Sequence, residues 1–562
     1  MAKISGAEYL AKSLDAFGVR AVFFVPTILS RTLYELEQHT KISRIVTHGE
    51  KAAVYMADGY ARASGTPGVC MAQNVGAANL AAGLRDPYLG CSPVVALTGG
   101  PYEWSRSRNF YQEIEDFPLF KPVTKFSAQV PDVNRLPDLL AQAFRSATSS
   151  KPGPTHLELS GHTGDITENQ LVDAAIPVGR PPAVPALRMQ AEAQAVADAA
   201  RLLATARRPV IVAGGGVRAS GAGGELVALA ERLGIPIATS LNGKDTVPGD
   251  HYLNVGVPGL YSRACANEIL LEADLVFFVG SQTGSQLTLT WQVPPVTSQV
   301  IHLDIEAAEL GRHYPNTLPL LCDATLGLRQ LLVATEGAEP ARSAWVARAQ
   351  ELVGRWREKV LPDMESDQIP IRPERLCGEL NRHLPADALL VADTGHAGMW
   401  TGGFIDLKSP GQNFIRAAGS LGWGLPAALG AQVAQPDRPV VLFTGDGGFW
   451  YHLSELETAA RWRIPAVIVV NNNRSLNQEI GPYTEAYGGT LHGRHAELWH
   501  FADVDLAAVA GSLGALGLTV RKAAEFAGAM EQATAHPGPT VINVVSDIDI
   551  LAPRGRAELA QP

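Results

Sequence analysis

The chain has 562 residues, of which 46% are apolar and 18% are charged, and these proportions exclude a disordered or fibrous protein. The length is too great for one hydrophobic core and predicts about three to four domains. The formal net charge is −10, and the lysines and arginines form no cluster. We therefore expect no nucleic-acid partner.

The cysteines and the first residues indicate the compartment. Five cysteines are scattered along the chain without a Cys-x-x-Cys pair, which argues against a disulfide framework or a zinc site. Residues 1–19 follow the pattern of an amphipathic helix and not that of a signal peptide. No apolar stretch is long enough to span a bilayer. These features predict a cytoplasmic enzyme without a membrane partner.

Residues 1–165 alternate strand and helix patterns and form the first predicted domain. Strands are predicted at 21–25, 43–47, 68–72 and 94–98, and helices at 30–38, 51–64 and 79–88. Such an alternation is typical of an open parallel sheet covered by helices. A proline-rich segment at 177–185 is interpreted as a linker.

Residues 190–335 form a second predicted α/β domain, and a glycine turn follows its first strand. Its strands are predicted at 209–213, 236–239, 275–279 and 300–303. The turn Gly214-Gly215-Gly216 can cradle a dinucleotide, but as an isolated signal it favours an ordinary tight turn. Asp304 can bond a ribose, or it can cap a helix predicted at 306–312. The sequence leaves both questions open.

A charged, less regular stretch at 336–367 leads into the third predicted domain, residues 368–550. The strands and helices of this domain repeat the pattern of the first. Together the three domains predict an α/β protein with three doubly wound parallel-sheet domains.

Two strand ends in the third domain carry oxygen ligands. An apolar strand at 440–443 ends near Gly445-Asp446-Gly447, and after a helical pattern a second strand at 466–470 runs into Asn471-Asn472-Asn473. Parallel strands place their carboxyl ends at one edge of the sheet, where such folds bind ligands. A carboxylate with amide oxygens suits Mg²⁺, and the glycines let a diphosphate approach the backbone at a helix N-terminus.

The Gly-Asp-Gly motif and the Asn-Asn pair, separated by 24 residues, make the chain resemble a known enzyme group. It is similar to the thiamine diphosphate enzymes of the acetolactate synthase, pyruvate oxidase and benzaldehyde lyase group, in the order pyrimidine-binding, middle and diphosphate-binding domain. The resemblance implies thiamine diphosphate and Mg²⁺ as cofactors. It also implies that Asp446 and Asn473 bind the metal through side-chain oxygens and Ser475 through its backbone carbonyl. An ordinary doubly wound unit is the alternative.

Glu50 is the candidate for the carboxyl group that bonds to the aminopyrimidine ring of the coenzyme. It follows the strand at 43–47, and Tyr60 stands ten residues later, as in the family motif, although His48 and Gly49 differ from that motif. A carboxyl group with a pKa tuned by burial makes the ring act as an internal base. The alternative is a glutamate that favours the start of a helix.

The resemblance implies further coenzyme contacts. His396 would donate to a phosphate oxygen, the Gly419 carbonyl would accept a bond from the 4′-amino group, and Leu421 would hold the coenzyme in its bent form. Without the family, Leu421 is a packing residue. Related enzymes bind FAD or ADP in the middle domain or leave it empty, so a nucleotide there stays open.

The substrate pocket is assigned by the same resemblance. Tyr111 and Gln112 stand where acetolactate synthases carry Phe-Gln, so Gln112 would face the reacting centre as a hydrogen-bond donor. Gln478 lies where relatives vary the shape of the pocket. Ile28 and Leu29 would place bulk beside the thiazolium ring, or they belong to the core.

Three positions depart from the acetolactate synthases. Ser160-Gly161-His162 lacks their lysine, Gly280-Ser281-Gln282 lacks their arginine, and Pro482 replaces their tryptophan. The predicted activity is therefore the making or breaking of a C–C bond next to a carbonyl, by a carboligase or lyase that acts on a 2-oxo acid, an aldehyde or an acyl-CoA. A non-oxidative 2-oxo acid decarboxylase, a 2-hydroxyacyl-CoA lyase and a catalytically silent regulatory or structural homologue are the alternatives.

In related enzymes the pyrimidine site of one chain faces the diphosphate site of another. The resemblance therefore predicts a homodimer or homotetramer with active sites at the subunit interface. Glu50 and Asp446 of one site would come from different chains.

Overall fold

The computed structural model describes residues 3–178, 183–338 and 341–554. It contains three six-stranded sheets in which all strands are parallel, and helices flank each sheet. This confirms the predicted class of three doubly wound parallel-sheet domains. The predicted linker at 177–185 lies partly outside the described residues. Within the described parts of the chain, no helix combines the length and the apolar character needed to cross a membrane.

The N-terminal sheet consists of six short strands, four of which are buried at every residue because helices cover both faces. The strands of the N-terminal domain are β1 (Ile4–Ser5), β2 (Ala21–Phe24), β3 (Ser43–Val46), β4 (Gly68–Ala72), β5 (Val94–Gly99), β6 (Phe126–Val130), β7 (Thr155–Leu159) and β8 (Leu171–Val172). Its helices are α1 (Gly6–Ala16), α2 (Ser30–His39), α3 (Glu50–Ser64), α4 (Ala77–Leu89), α5 (Leu136–Thr148) and α6 (Asp165–Asn169). The sheet order is β3-β2-β4-β5-β7-β6, and β1 pairs separately with β8.

The middle domain also has a six-stranded parallel sheet flanked by helices. The strands are β9 (Pro209–Ala213), β10 (Ile237–Thr239), β11 (Asn254–Gly256), β12 (Leu275–Val279), β13 (Val300–Asp304) and β14 (Thr317–Leu321). The helices are α7 (Ala193–Thr205), α8 (Gly215–Ser220), α9 (Gly223–Leu233), α10 (Ala264–Glu272) and α11 (Ala324–Ala334). The order is β11-β10-β9-β12-β13-β14.

Two predictions, for residues 306–312 of the middle domain and for the stretch 336–367 after it, are wrong. The helix predicted at 306–312 is a single 3-10 turn, Ala307–Glu309, because the Asp304 carboxylate accepts the N–H of Glu306 (2.9 Å) and closes a tight turn. The stretch at 336–367 is not irregular, since most of it is helix α12 (Ser343–Met364). Trp345, Ala349 and Leu352 are buried, and their spacing places them on one face.

The C-terminal sheet has the order β16-β15-β17-β18-β20-β19 for the strands β15 (Leu389–Ala392), β16 (Asn413–Arg416), β17 (Val440–Gly445), β18 (Val467–Asn472), β19 (Leu516–Val520) and β20 (Thr540–Val545). Its helices are α13 (Pro373–His383), α14 (His396–Phe404), α15 (Gly424–Ala434), α16 (Asp446–Trp450), α17 (Glu455–Trp462), α18 (Ile480–Ala486), α19 (Leu506–Ser512) and α20 (Phe526–Ala535). Strands β17 and β18 are neighbours, and Gly445 pairs with Asn471. The two motif-bearing strand ends therefore lie side by side, as predicted.

The N-terminal and C-terminal domains share one hydrophobic core, which is centred on the contact of α3 with α15. A Cβ atom at Gly59 would lie 2.0 Å from the carbonyl oxygen of Ala427, and one at Gly430 would lie 1.9 Å from that of Met56. Only glycine permits this approach of the two helices. The two outer domains of one chain are therefore packed directly on each other.

Lys244 is buried between the middle and C-terminal domains, where its Nζ donates to the carbonyl of Gly402 (3.3 Å). Burial, with Arg263 nearby, lowers the pKa of Lys244 to about 7. The unfolded chain keeps a lysine pKa near 10.5, so it binds more protons than the folded chain between these two values. The free energy of unfolding should therefore rise as pH increases from 7 to 10.

Lys244→Met is expected to stabilise the protein at pH 7 by a few kcal/mol, since each pKa unit corresponds to about 1.4 kcal/mol. It should also flatten the rise in stability between pH 7 and 10. Urea unfolding across this range measures both effects, with Lys41→Met at an exposed position as the control. Equal slopes for wild type and Lys244→Met would contradict the assignment.

Candidate functional site

A cavity of about 400 Å³ opens at the carboxyl edge of the C-terminal sheet. Its walls come from the ends of β15, β17 and β18, from the loop after β16, and from Tyr261 and Gln286 of the middle domain. Nine of the predicted site residues line it, namely His396, Gly419, Leu421, Gly445, Asp446, Gly447, Asn473, Ser475 and Gln478. The structure thus brings together residues that are up to 82 positions apart in the sequence (478 − 396).

Asp446 is the central carboxylate of this cavity. It begins α16 directly after β17, it is 2% exposed, and its Oδ2 accepts the backbone N–H of Ser475 (2.9 Å). Burial raises the pKa of Asp446 to about 7. No ion pair among the described residues involves Asp446, and the neighbouring Arg474 pairs with Asp503 instead (3.3 Å). A buried carboxylate without a counter-charge fits a site for a cation.

The two asparagines of the Asn-Asn pair have different surroundings. Asn472 ends β18, and its Nδ2 donates to Oδ1 of Asn543 on β20 (2.8 Å), which fixes the strand end. Asn473 starts the loop, and its Oδ1 accepts the hydroxyl of Ser475 (3.0 Å). The described residues contain no cluster of three or more His, Cys, Asp or Glu side chains that could hold a metal. The donor set here is one carboxylate with amide and carbonyl oxygens, which fits Mg²⁺ better than a softer metal.

His396 begins α14 and contacts Asn477. Its Nδ1 lies 2.8 Å from Asn477 Oδ1, and the Asn477 amide nitrogen donates to the carbonyls of Ile548 (2.9 Å) and Ile550 (3.2 Å). This network assigns the proton to Nδ1 of His396. Burial lowers the pKa of His396 to about 4, so the ring is neutral and Nε2 is an acceptor. Donation from Nε2 to a phosphate oxygen therefore requires a second proton.

Asp393 lines the same cavity and was not predicted. It follows β15, it is buried, and its carboxylate accepts the N–H groups of Gly422 (3.2 Å) and Gly424 (3.3 Å) and the hydroxyl of Thr444 (3.2 Å). Burial raises the pKa of Asp393 to about 6. These contacts tie the loop before α15 to β17. An acidic residue directly after the apolar run at 389–392 is the sequence signal that could have found it.

Glu50 and Gln112 lie in the N-terminal domain. Glu50 begins α3 after β3, and its Oε2 accepts a bond from the Asn79 amide (3.0 Å). Gln112 has a left-handed φ of 62°, and its backbone carbonyl accepts a bond from the Asn74 amide (2.9 Å). None of the N-terminal residues that the structure describes lines the 400 Å³ cavity. One chain therefore holds two separate groups of predicted site residues.

The remaining pocket candidates divide between core and surface. Ile28 and Leu29 are both 0% exposed and belong to the core cluster of the N-terminal sheet. Their burial in this chain favours the alternative that Ile28 and Leu29 are core residues. Tyr111 is 77% exposed, so its side chain is free to contact another molecule.

A larger cavity of about 800 Å³ lies where the three domains meet, and the glycine turn after β9 forms part of its wall. A Cβ atom at Gly214 would lie 2.0 Å from the carbonyl oxygen of Gly280, and one at Gly216 would lie 2.7 Å from the Cα of Gly280. Packing between the ends of β9 and β12 therefore accounts for these two glycines. Asp304 also lines this cavity, and burial raises its pKa to about 6.

Three family models match the chain. They are the N-terminal TPP (thiamine pyrophosphate, that is, thiamine diphosphate) binding domain of thiamine pyrophosphate enzymes over residues 4–119, their central domain over 196–331, and their C-terminal TPP binding domain over 393–544. A relative named probable acetolactate synthase large subunit, from Methanocaldococcus jannaschii, is 32% identical, and the match covers 100% of this chain and 95% of the relative. The chain belongs to the thiamine pyrophosphate enzyme family.

Other members of the thiamine pyrophosphate enzyme family match at similar levels. A probable acetolactate synthase large subunit from Methanococcus aeolicus is 32% identical over 84% of this chain and 81% of its own length. An acetolactate synthase from Arthrospira platensis is 29% identical over 96% of this chain and 94% of its own length. The predicted resemblance is thus confirmed. Apart from Tyr261 and Gln286, the cavity is lined by the C-terminal TPP binding domain, whereas Glu50 and Gln112 lie within the N-terminal one.

Proposed function

We propose that the chain is a thiamine diphosphate- and Mg²⁺-dependent enzyme that makes or breaks a C–C bond next to a carbonyl group. The observation that carries the proposal is the buried, uncompensated Asp446 beside Asn473 and Ser475, in a cavity of a matched TPP binding domain. When bound, the coenzyme supplies a nucleophilic carbon that adds to carbonyl groups and takes up the negative charge that results. The substrates are 2-oxo acids or aldehydes, as for an acetolactate synthase-like carboligase or lyase.

The residues of the cavity suit the diphosphate end of the coenzyme. Asp446 and Asn473 would hold Mg²⁺ through side-chain oxygens, and Ser475 through its backbone carbonyl. A Cβ atom at Gly445 or at Gly419 would meet no atom within 4 Å, so there is open space above both backbones. Gly445 would lie against the diphosphate, the Gly419 carbonyl against the 4′-amino group, and Leu421 beneath the bend of the coenzyme.

The site of one chain is incomplete without a second copy. Glu50 would hold the proton that the aminopyrimidine exchanges, and Gln112 would donate to the substrate, yet the described walls of the cavity include neither residue. We infer a homodimer, or a homotetramer made of two such dimers, in which Glu50 of one chain completes the cavity of another. The exposed Tyr111 beside Gln112 is consistent with a surface that a second chain covers.

Mixed dimers of two inactive variants test this arrangement. Glu50→Gln and Asp446→Asn are co-expressed with different affinity tags, and the mixed dimer is purified by both tags. If each site takes Glu50 and Asp446 from different chains, one of the two sites carries both wild-type residues. The mixed dimer is then expected to show about half of the wild-type activity.

The two unmixed variants serve as controls, and both are expected to be nearly inactive. A mixed dimer no more active than either control would show that Glu50 and Asp446 of one site belong to the same chain. Light scattering on the wild type adds an independent check, because an active monomer would contradict the shared site.

The N-terminal domain favours an uncharged acceptor substrate. His162 belongs to the segment Ser160-Gly161-His162, which stands where acetolactate synthases carry a lysine, and it is buried against the rings of Tyr102 and Phe110. Burial lowers the pKa of His162, so the imidazole is uncharged at pH 7. The cation that would attract the carboxylate of a second 2-oxo acid is thus absent from this position. Product analysis with pyruvate alone and with pyruvate plus aldehydes tests the preference, and acetolactate as the main product would contradict it.

Three alternatives are separated by further measurements. A non-oxidative decarboxylase would release free aldehyde from a 2-oxo acid, and a 2-hydroxyacyl-CoA lyase would cleave an acyl-CoA substrate. A catalytically silent homologue is disfavoured because Glu50 and Asp446 are both present. Calorimetry that shows no thiamine diphosphate binding in Mg²⁺ would support that third alternative.

We also infer that the 800 Å³ cavity takes an adenine nucleotide, either FAD or the ADP part of a larger molecule. Its volume lies in the range of ligand pockets, and its lining includes the cations Arg218 and Lys151, which in this chain pair with Asp245 (3.0 Å) and Glu309 (2.9 Å). Nucleotide released by heat from the purified protein is identified by chromatography. A protein that carries none and binds neither FAD nor ADP would contradict the inference.

A further inference from the structure

The loop around Gly419, which forms part of the wall of the 400 Å³ cavity, is hydrogen-bonded to a residue of the N-terminal domain. Asp86, on α4, is 0% exposed, and its Oδ1 accepts the backbone N–H of Ala418 (2.9 Å) while its Oδ2 accepts that of Ser420 (3.0 Å). The two bonds enclose Gly419, whose φ of 151° is one that other residues rarely adopt. Both oxygens of one carboxylate thus fix the backbone on either side of Gly419.

These bonds also set the direction of the Gly419 carbonyl. The cis peptide bonds of the described chain all precede proline, so the bond between Gly419 and Ser420 is trans. In a trans peptide the C=O and the N–H point in opposite directions. Because the N–H of Ser420 points at Asp86, the carbonyl oxygen of Gly419 points away from Asp86, and Gly419 itself lines the cavity.

The buried side chain of Arg62 forms an ion pair with Asp86. Nη2 of Arg62 lies 3.3 Å from Oδ1 of Asp86, and its Nη1 donates to the carbonyl of Arg416, two residues before Ala418 (2.7 Å). The same guanidinium donates to both oxygens of Asp58 (2.8 and 2.7 Å). In this buried network Asp86 alone accepts bonds from backbone N–H groups of the loop, whereas Asp58 accepts from the Arg62 and Trp423 side chains.

We propose that Asp86 is a positioning residue for thiamine diphosphate. It aims the Gly419 carbonyl into the cavity from the N-terminal domain of the same chain, and the proposal rests on the proposed coenzyme contact of Gly419. Asp86 touches neither the coenzyme nor the substrate in this assignment. Its effect passes through the two backbone N–H groups.

Asp86→Asn tests the proposal on the full-length enzyme. Ala418 and Ser420 donate to different oxygens of Asp86, and an amide in the same orientation puts a donor nitrogen in place of one of those oxygens, so one of the two bonds is lost. The Kd for thiamine diphosphate in saturating Mg²⁺ is expected to rise about tenfold, and kcat to fall as well. Calorimetry gives the Kd, and thermal unfolding gives the Tm of the same samples.

Asp58→Asn is the matched control, because Asp58 is equally buried and bonds to the same Arg62. It is expected to lower the Tm about as much as Asp86→Asn and to keep the Kd within about twofold of wild type. Equal rises in Kd for the two variants, or no rise for Asp86→Asn, would overturn the proposal and leave the proposed function intact. A wild type that binds no thiamine diphosphate would overturn both.

A measurement on the wild type keeps the proposal testable if Asp86→Asn does not fold. Hydrogen exchange, read by mass spectrometry at single residues, reports the amides of Ala418 and Ser420 in the coenzyme-free protein. Both are expected to exchange slowly, because a buried carboxylate accepts their hydrogens before any coenzyme binds. Rapid exchange at both amides would overturn the proposal.

Discussion

Glu50→Gln is expected to lower kcat by about 10²- to 10⁴-fold, the range that a positioned proton-transfer group contributes. The Kd for thiamine diphosphate in Mg²⁺ should stay within about tenfold of wild type, because a glutamine oxygen can still accept the bond from Asn79 that Glu50 accepts (3.0 Å). The amide has the shape of the carboxyl group but cannot hold or release its proton. Steady-state kinetics and calorimetry on the same preparation separate the two quantities.

Glu37→Gln is the control for this experiment, since Glu37 is an exposed residue of the same domain that pairs with Arg44 (2.6 Å). It should leave both kcat and Kd unchanged. Turnover close to wild type in Glu50→Gln with coenzyme bound would remove Glu50 from the catalytic assignment.

Asp446→Asn is expected to weaken Mg²⁺-dependent binding of thiamine diphosphate by at least about 100-fold, since loss of the carboxylate leaves the cation without the one charged ligand that the protein supplies. The metal-free protein, in contrast, should be at least as stable as wild type at pH 8. The amide oxygen can still accept the N–H of Ser475, and a buried charge without a partner is removed. Calorimetry and thermal unfolding in EDTA measure the two effects.

Asp393→Asn is the contrasting variant, because the Asp393 carboxylate accepts bonds from Gly422, Gly424 and Thr444. An amide cannot accept all of them, so the Tm in EDTA should fall. If Asp446→Asn lowered the Tm as strongly as Asp393→Asn while Mg²⁺-dependent binding persisted, Asp446 would be a structural carboxylate and not a metal ligand.

The metal-binding motif was predictable because its residues follow two neighbouring apolar strands. The carboxyl ends of parallel neighbours lie side by side, so Asp446 and Asn473 could be placed together from their positions alone. The family resemblance added Gly419, Leu421 and Gln478, and all three line the same cavity. Their roles toward coenzyme and substrate stay predictions, as do the domain limits 1–165, 190–335 and 368–550.

Other features depend on contacts that the sequence does not display. Asp86 bonds to residues 332 and 334 positions later in the chain, and no local pattern marks such a partner. Helix α12 was missed because its charged surface conceals a buried face that contains only Trp345, Ala349 and Leu352. The place of Ile28 and Leu29 stayed open in the sequence because an apolar residue after a strand suits a pocket and a core equally.

Helix α3 links two places of proposed chemistry. Glu50 is its first residue, and Arg62, near its last turn, bonds to Asp86 and to the residue before the Gly419 loop. These ends are roughly 18 Å apart along the axis at 1.5 Å per residue, and contact with α15 holds the helix along its length. If Glu50 serves the cavity of a partner chain, each helix α3 connects two active sites. A displacement of α3 would then move the Glu50 carboxyl group of one site and the Gly419 loop of the other at the same time.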